Sequence, residues 1–222
     1  MEEQSLALSF SNSLTTDIAS IAGEYAELGL DALVEEGLFK DIPLASTAVA
    51  VYRIGKSIHE RHYVAKLVSF LADINKGIVD EEQRQKYRKK FRGNEKFRNQ
   101  ELEYILILID RYIDFDKPQM LAKLYLAYLD DEICWAEFTK YSEVVDRFLP
   151  GDNLFLINIA AEKIVTSCDF VDSILRLMSM GLVTQNVGID VLDDGNGNVE
   201  MKNAEGYSMT SFGIKLNNIL KR

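Results

Sequence analysis

Apolar positions recur along most of this chain at the three- and four-residue steps of an amphipathic helix. In residues 13–36, Leu14, Ile18, Ile21, Tyr25 and Leu28 form one such stripe, and Gly37 marks its stop. Asp41-Ile42-Pro43 opens the next helix. Proline suits a first turn, because the N–H it lacks would be unpaired there anyway. The pattern predicts a helix from there to about residue 74, interrupted only at Gly55. Residues 44–52 are apolar or small on every side. Beyond Arg53, Ile54, Ile58, Val64 (or Ala65), Leu67 (or Val68) and Leu71 share one side. A helix of that kind is buried all round at its first end only.

Residues 80–98 read as a highly charged helix ending near Gly93. Asp80, Glu81 and Glu82 fall in its first turn and bases fill its last turns, as the helix dipole favours. Tyr87 and Phe91, with Phe97 as a further candidate, give it a thin aromatic edge. An apolar helix over 101–112 follows, then one from Asp116 or Lys117 to Leu129. A third spans about 134–148, anchored by Trp135, Phe138, Val145 and Phe148. Leu149-Pro150-Gly151-Asp152 is a turn and the expected domain boundary. Past it come helices over 154–164 and 170–180, the second capped by Gly181. Strand-like runs at 187–192 and 199–202 then flank DDGNGN, a hairpin-type turn. A short strand-like piece at 207–209 leads to Thr210, the N-cap of a closing helix. The expected fold is mainly α: a multi-helix bundle over 1–150, then a small winged-helix-like module with a β-hairpin over 151–222.

Composition changes this picture little. The 222 residues are 47% hydrophobic, with three prolines, enough for one sizeable core or two small ones. Cys134 and Cys168 lack the spacing of a disulfide framework or zinc site. That points to a reduced, cytoplasmic setting, and Cys134, beside Trp135, is expected to be buried rather than nucleophilic. MEEQSLALSF has no basic region followed by a long apolar one, so no signal peptide is expected.

Charge is more informative. The net charge of −10 is unevenly spread. Residues 1–50 carry nine acids and one base, whereas 51–99 carry thirteen bases and six acids. A basic middle between acidic ends has two explanations. One is charge complementarity within the fold. The other is a patch for an anionic partner, for which Arg53, Lys56, Arg61, Arg84, Lys86, Lys89, Lys90 and Arg92 are the candidate contacts.

No catalytic, cofactor or metal site is expected. His59-Glu60-Arg61-His62 resembles a zinc-protease motif, but its histidines are three apart where that motif needs four. DDGNGN has the oxygens of a calcium loop without its spacing or its closing glutamate. Asp130-Asp131-Glu132 has no partner motif, and no phosphate-binding glycine loop or nucleophile elbow occurs. The second helix of a DNA-reading module needs basic or amide side chains at its exposed start. Here it begins with Asp169 and Asp172, and Arg176 is its one base, so DNA binding by this face is not expected.

The apolar run at 42–52 is eleven residues long, and a membrane span needs about 20. A buried core helix is the expectation. The alternatives are a surface-active segment that inserts only under some trigger, with Arg53, Lys56, Arg61 and Lys66 meeting anionic headgroups behind it, and a partner-binding helix.

Several phrases resemble the abortive-infection alpha family of helical bacterial proteins. They are FKDIPLASTAVAVYRIGKSIHERHYVAKLVSFL, KPQMLAKLYLAYLDDEICWAEF, and LMSMGLVTQ with YSMTSFGIKL. The family's "LT-x-x-G" turn corresponds here to Met209-Thr210-Ser211-Phe212-Gly213. The resemblance implies a bacterial or prophage-encoded cytosolic protein linked to phage defence, and brings no catalytic residue with it. The resulting expectation is a non-enzymatic phage-defence or stress effector. It would act through protein–protein or inner-membrane-surface contacts. The alternatives are a nucleic-acid-associated regulator using the basic 84–98 region and a homodimeric scaffold.

Overall fold

A computed structural model describes residues 5–14, 43–51, 58–78, 80–160, 169–193 and 199–222. Among them are ten helices and one two-stranded antiparallel sheet, so the chain is mainly helical. They divide into two compact units, Met1–Asp146 and Arg147–Arg222. The helix expected over most of 13–36 and the tip of the DDGNGN turn lie outside the described residues.

The first unit begins with α1 (Leu6–Ser13), a helix the hydrophobic pattern missed. Its local signal is Ser5, whose side chain accepts from the Leu8 N–H. A second first-turn donor, the Ala7 N–H, bonds Asn99 Oδ1 at 2.8 Å. Helix α2 (Pro43–Val51) opens on its proline and packs against α1. Leu44 and Ala45 are fully buried. The polar interruptions there are satisfied locally. The Thr47 and Ser9 hydroxyls meet at 2.7 Å, and the Leu44 N–H donates to Ser13 Oγ at 2.9 Å. Helix α3 (Ile58–Gly77) follows; residues 52–57, across which one helix was expected to run, lie outside the described residues.

Helix α4 (Glu81–Gly93) is capped by Asp80, which accepts from the Gln83 N–H at 2.7 Å. Helix α5 (Glu95–Arg111) starts directly after Asn94. The charged helix ends at Gly93 as expected, and residues 95–98 belong to α5. The apolar helix expected from 101 gains nearly two turns. Helices α6 (Asp116–Leu129) and α7 (Trp135–Arg147) lie where the apolar spacing put them.

Helix α3 packs along α6, with α1 set against α4 and α5. The close approach of α3 and α6 falls at Gly77, where an added Cβ would lie 2.2 Å from Leu126 Cδ1. Aromatic rings fill the centre. Phe10 stands 4.6 Å from Phe91 and 5.9 Å edge-on from Tyr125, and Tyr125 reaches Phe138 at 5.7 Å. Trp135 stacks on Phe138 at 4.8 Å. Such offset and edge contacts add to what apolar burial already contributes.

The second unit runs α8 (Asp152–Ala160), α9 (Asp169–Ser179), β1 (Val183–Asp193), β2 (Val199–Met209) and α10 (Ser211–Leu220). Gly181, at φ +73°, ends α9 with paired bonds from the Gly181 N–H to Met178 O and the Leu182 N–H to Leu177 O. The strands pair from Val183 opposite Met209 to Asp193 opposite Val199. Both are longer than expected, and the separate piece at 207–209 is the end of β2. Thr184, Gln185 and Asn186 lack an apolar alternation. They are held by the backbone ladder once the hairpin closes, which side-chain patterning does not report. Thr210 caps α10 as expected, accepting from the Gly213 N–H at 3.0 Å.

Candidate functional site

The basic segment of the first unit is used unevenly. Arg84 turns inward: its guanidinium donates to the Leu14 carbonyl at the end of α1 and pairs with Glu81 at 3.2 Å. Lys90 reaches across to the end of α6, donating to Leu129 O at 2.7 Å and Asp131 Oδ1 at 2.8 Å. Asp131 occupies the left-handed region at φ +65° as the C′ residue of α6. The Lys90 hydrogen bond holds its carboxyl below the ordinary range. Lys86 stands farther from the same carboxylate, at 3.8 Å. Lys89 and Arg92 are exposed. Of the candidate anion contacts, then, Arg84 and Lys90 are bound to internal partners, while Lys86, Lys89 and Arg92 face outward. Arg53 and Lys56, and the side chain of Arg61, lie outside what the structure describes.

Lys66 is a correction. It was grouped with cations that would meet headgroups, but it is buried. Its ammonium donates to Asp110 O at 3.1 Å and Tyr112 O at 2.5 Å, capping the end of α5. Burial pulls its pKa below the usual lysine value, partly opposed by the Asp110 charge. Those partners lie 44 and 46 residues away, so helical periodicity around Lys66 gave no sign of them.

Another polar group in this unit escaped sequence reasoning. Glu101 is 1% exposed. It accepts from Arg98 Nη1 at 2.5 Å and from the Tyr128 hydroxyl, and Arg98 also donates to that hydroxyl at 2.9 Å. Burial, reinforced by Glu101, pushes the Tyr128 phenol up to about 12. Glu101 falls at a core-facing step of an apolar helix, which is the signal that could have found it. The arrangement neutralises a buried carboxylate.

The histidines of the HERH stretch do not converge. His59 lies 3.5 Å from Asp110 on the surface, and His62 rests against Phe115. Cys134 is exposed, contrary to the expected burial, because it takes the N-cap position of α7. Its N–H donates to Glu137 Oε2 at 2.9 Å. Among the described residues, no group of three or more His, Cys, Asp or Glu could hold a metal ion. No described helix is long and apolar enough to cross a membrane.

In the second unit, α9 carries the informative face. Its one base, Arg176, forks onto Asp152, with Nε and Nη2 each 2.8 Å from a carboxylate oxygen. Asp152 is completely buried and also accepts from the Leu149 N–H at 2.8 Å. That contact raises the Arg176 pKa further. The outward side of α9 instead shows Val171 and Leu175, 56% and 58% exposed, with Asp172 beside them. Their spacing of four residues places both on one face.

The described class is a mainly helical chain of two units, the second built as helix, helix, hairpin, helix. Comparison with family models, with curated proteins and with solved structures finds no match to this chain.

Proposed function

We propose that this chain is a non-enzymatic interaction protein. Its C-terminal unit is a winged-helix-like module that docks a protein partner through the outward face of α9. The observation that carries this is the pairing of two exposed aliphatic side chains, Val171 and Leu175, with the withdrawal of Arg176 into the buried Asp152 pair. Nucleic-acid affinity rests on cations offered to phosphates. The second helix of this module offers aliphatic surface and Asp172. Aliphatic side chains rimmed by polar groups suit a protein surface.

A role in phage defence or stress response is supported by the family resemblance of the phrases named above. Contact with a membrane surface has less behind it. Leu44 and Ala45, in the first turn of the apolar run, are buried, and Lys66 caps a helix instead of facing outward.

A photo-reactive amino acid placed at Leu175 in the expressed protein tests the docking face. One discrete adduct is expected on irradiation, lost when Val171→Asp is added. Mass spectrometry then separates a second copy of this chain from a different protein. An adduct no stronger than that from exposed Lys140 would remove the proposal. Plating phage on cells expressing wild type or Val171→Asp/Leu175→Asp tests the defence role, which predicts protection by wild type alone.

A further inference from the structure

Helix α4 buries Tyr87 and Phe91 and turns Glu82, Gln85, Lys86, Lys89 and Arg92 to solvent. The cations on that side are the ones left after the internal contacts are made, since Arg84 holds the end of α1 and Lys90 the end of α6. Lys96, exposed in the first turn of α5, extends the series. An open concavity on this surface is lined by Lys86, Lys89 and Lys90 with the carboxamides of Gln83 and Gln85. Asp80 and Glu82 close its N-terminal end, and one Asp80 oxygen is engaged by the Gln83 N–H.

Five residues after Arg92 in the chain, in the first turn of α5, Phe97 is exposed, 39% accessible, with the Arg98 guanidinium 5.7 Å from its centroid. Exposed ammonium and guanidinium groups and one accessible aromatic ring within residues 86–97 have the chemistry that binds single-stranded nucleic acid. The cations follow the phosphates and the ring stacks on a base. A membrane surface would call for a band of aliphatic side chains, and the outward face of α4 carries none.

We infer that the outward face of α4 and the first turn of α5 bind single-stranded nucleic acid. Lys86, Lys89, Arg92 and Lys96 meet phosphates and Phe97 stacks on a base. Acids temper the site, Asp80 and Glu81 among them. Glu82 and Glu95 lie on the same stretch, and Asp131 draws on Lys86 and Lys90. Asp131 therefore competes with the incoming phosphate, and its neutralisation strengthens binding. This site is separate from the α9 face and does not depend on it.

Fluorescence anisotropy of a labelled 20-nucleotide oligo(dT) with the full chain tests the inference. Binding is expected at low salt. With four cations engaged, log K should fall against log salt with a slope of about −3, from roughly −0.7 per phosphate on a single strand. Lys89→Glu with Arg92→Glu should weaken binding by about tenfold or more and flatten that slope. Phe97→Ala should cost about fivefold or more. Asp131→Asn should tighten binding a few-fold. All of these positions are exposed, so each variant is expected to stay folded, which circular dichroism checks. Absence of binding at low salt, or equal binding by the double charge reversal, would overturn the inference. So would Phe97→Ala being silent while duplex DNA binds as tightly as oligo(dT). Capture by phosphatidylserine vesicles without oligo(dT) binding would assign the face to a membrane instead.

Discussion

Gly213 shows how one residue can carry a packing constraint. It lies inside α10, where replacing glycine by alanine ordinarily gains about 1 kcal/mol. Here an added Cβ would stand 2.1 Å from the Leu182 carbonyl oxygen, a backbone atom that also accepts from the Thr210 N–H at 3.0 Å. Relief would require moving the β1 start away from α10. Gly213→Ala should therefore destabilise the protein by about 1–3 kcal/mol, the usual cost of overpacking. A urea titration followed by circular dichroism reads the sign, and a stabilised variant would contradict the close approach. Asp131 makes the complementary case. Its left-handed backbone at φ +65° costs an ordinary residue about 1 kcal/mol, and glycine nothing. Its pair with Lys90 is surface-exposed and contributes little. Asp131→Gly should thus leave stability nearly unchanged, while Asp131→Ala should lower it by about 1 kcal/mol in the same titration.

Between elements, the decisive contacts are charged groups placed at helix ends. Lys66 reaches from α3 to the last carbonyls of α5. Lys66→Met keeps the aliphatic packing and leaves those acceptors unpaired, which should cost about 1–3 kcal/mol. The urea midpoint would show it. The Arg176 fork onto Asp152 ties α9 to the start of α8. Arg176 is partly exposed, so removing it leaves a carboxylate that water reaches in part, and Arg176→Met should cost about 1–3 kcal/mol. Adding Asp152→Asn should recover part of that loss, and no recovery would mean the carboxylate charge is not the cause. Sequence patterning located helices of this kind by their apolar stripes and end residues. Asp80, Pro43, Gly181 and Thr210 all mark ends that the structure shows. It ended the charged helix near Gly93, where α4 does end, but began α5 at Glu101 instead of Glu95, because residues 95–100 are mostly polar and show no apolar stripe.

Across the molecule, buried phenols set the response to alkali. Burial pushes Tyr128 and Tyr141 up to about 12 from an ordinary 10.0, with Glu101 and Glu137 adding to the effect. The folded chain then holds protons that the unfolded chain releases near pH 10. The stabilisation is complete below about pH 10 and is lost as pH rises towards 12. Lys66 acts in the opposite sense. Its lowered folded pKa makes stability rise with pH up to the unfolded value of 10.5. The phenols are the larger group, so the urea midpoint should fall between pH 10 and 11.5. Tyr128→Phe should make that fall shallower, and an unchanged slope would argue against the phenol.

Elements and their ends depend on neighbours within a few residues, and those the sequence by itself determined: most of the helices, the hairpin, the caps, and a basic middle between acidic ends. The direction in which each cation points depends on partners far along the chain. Lys90 meets Asp131 41 residues away, Lys66 meets Tyr112 46 away, and Arg84 meets Leu14 70 away. Only the tertiary structure decided which charges hold the fold together and which, like Lys86, Lys89 and Arg92, remain on its outside. A carbonyl at a helix end becomes an acceptor for a given lysine only once packing brings the two within hydrogen-bond reach.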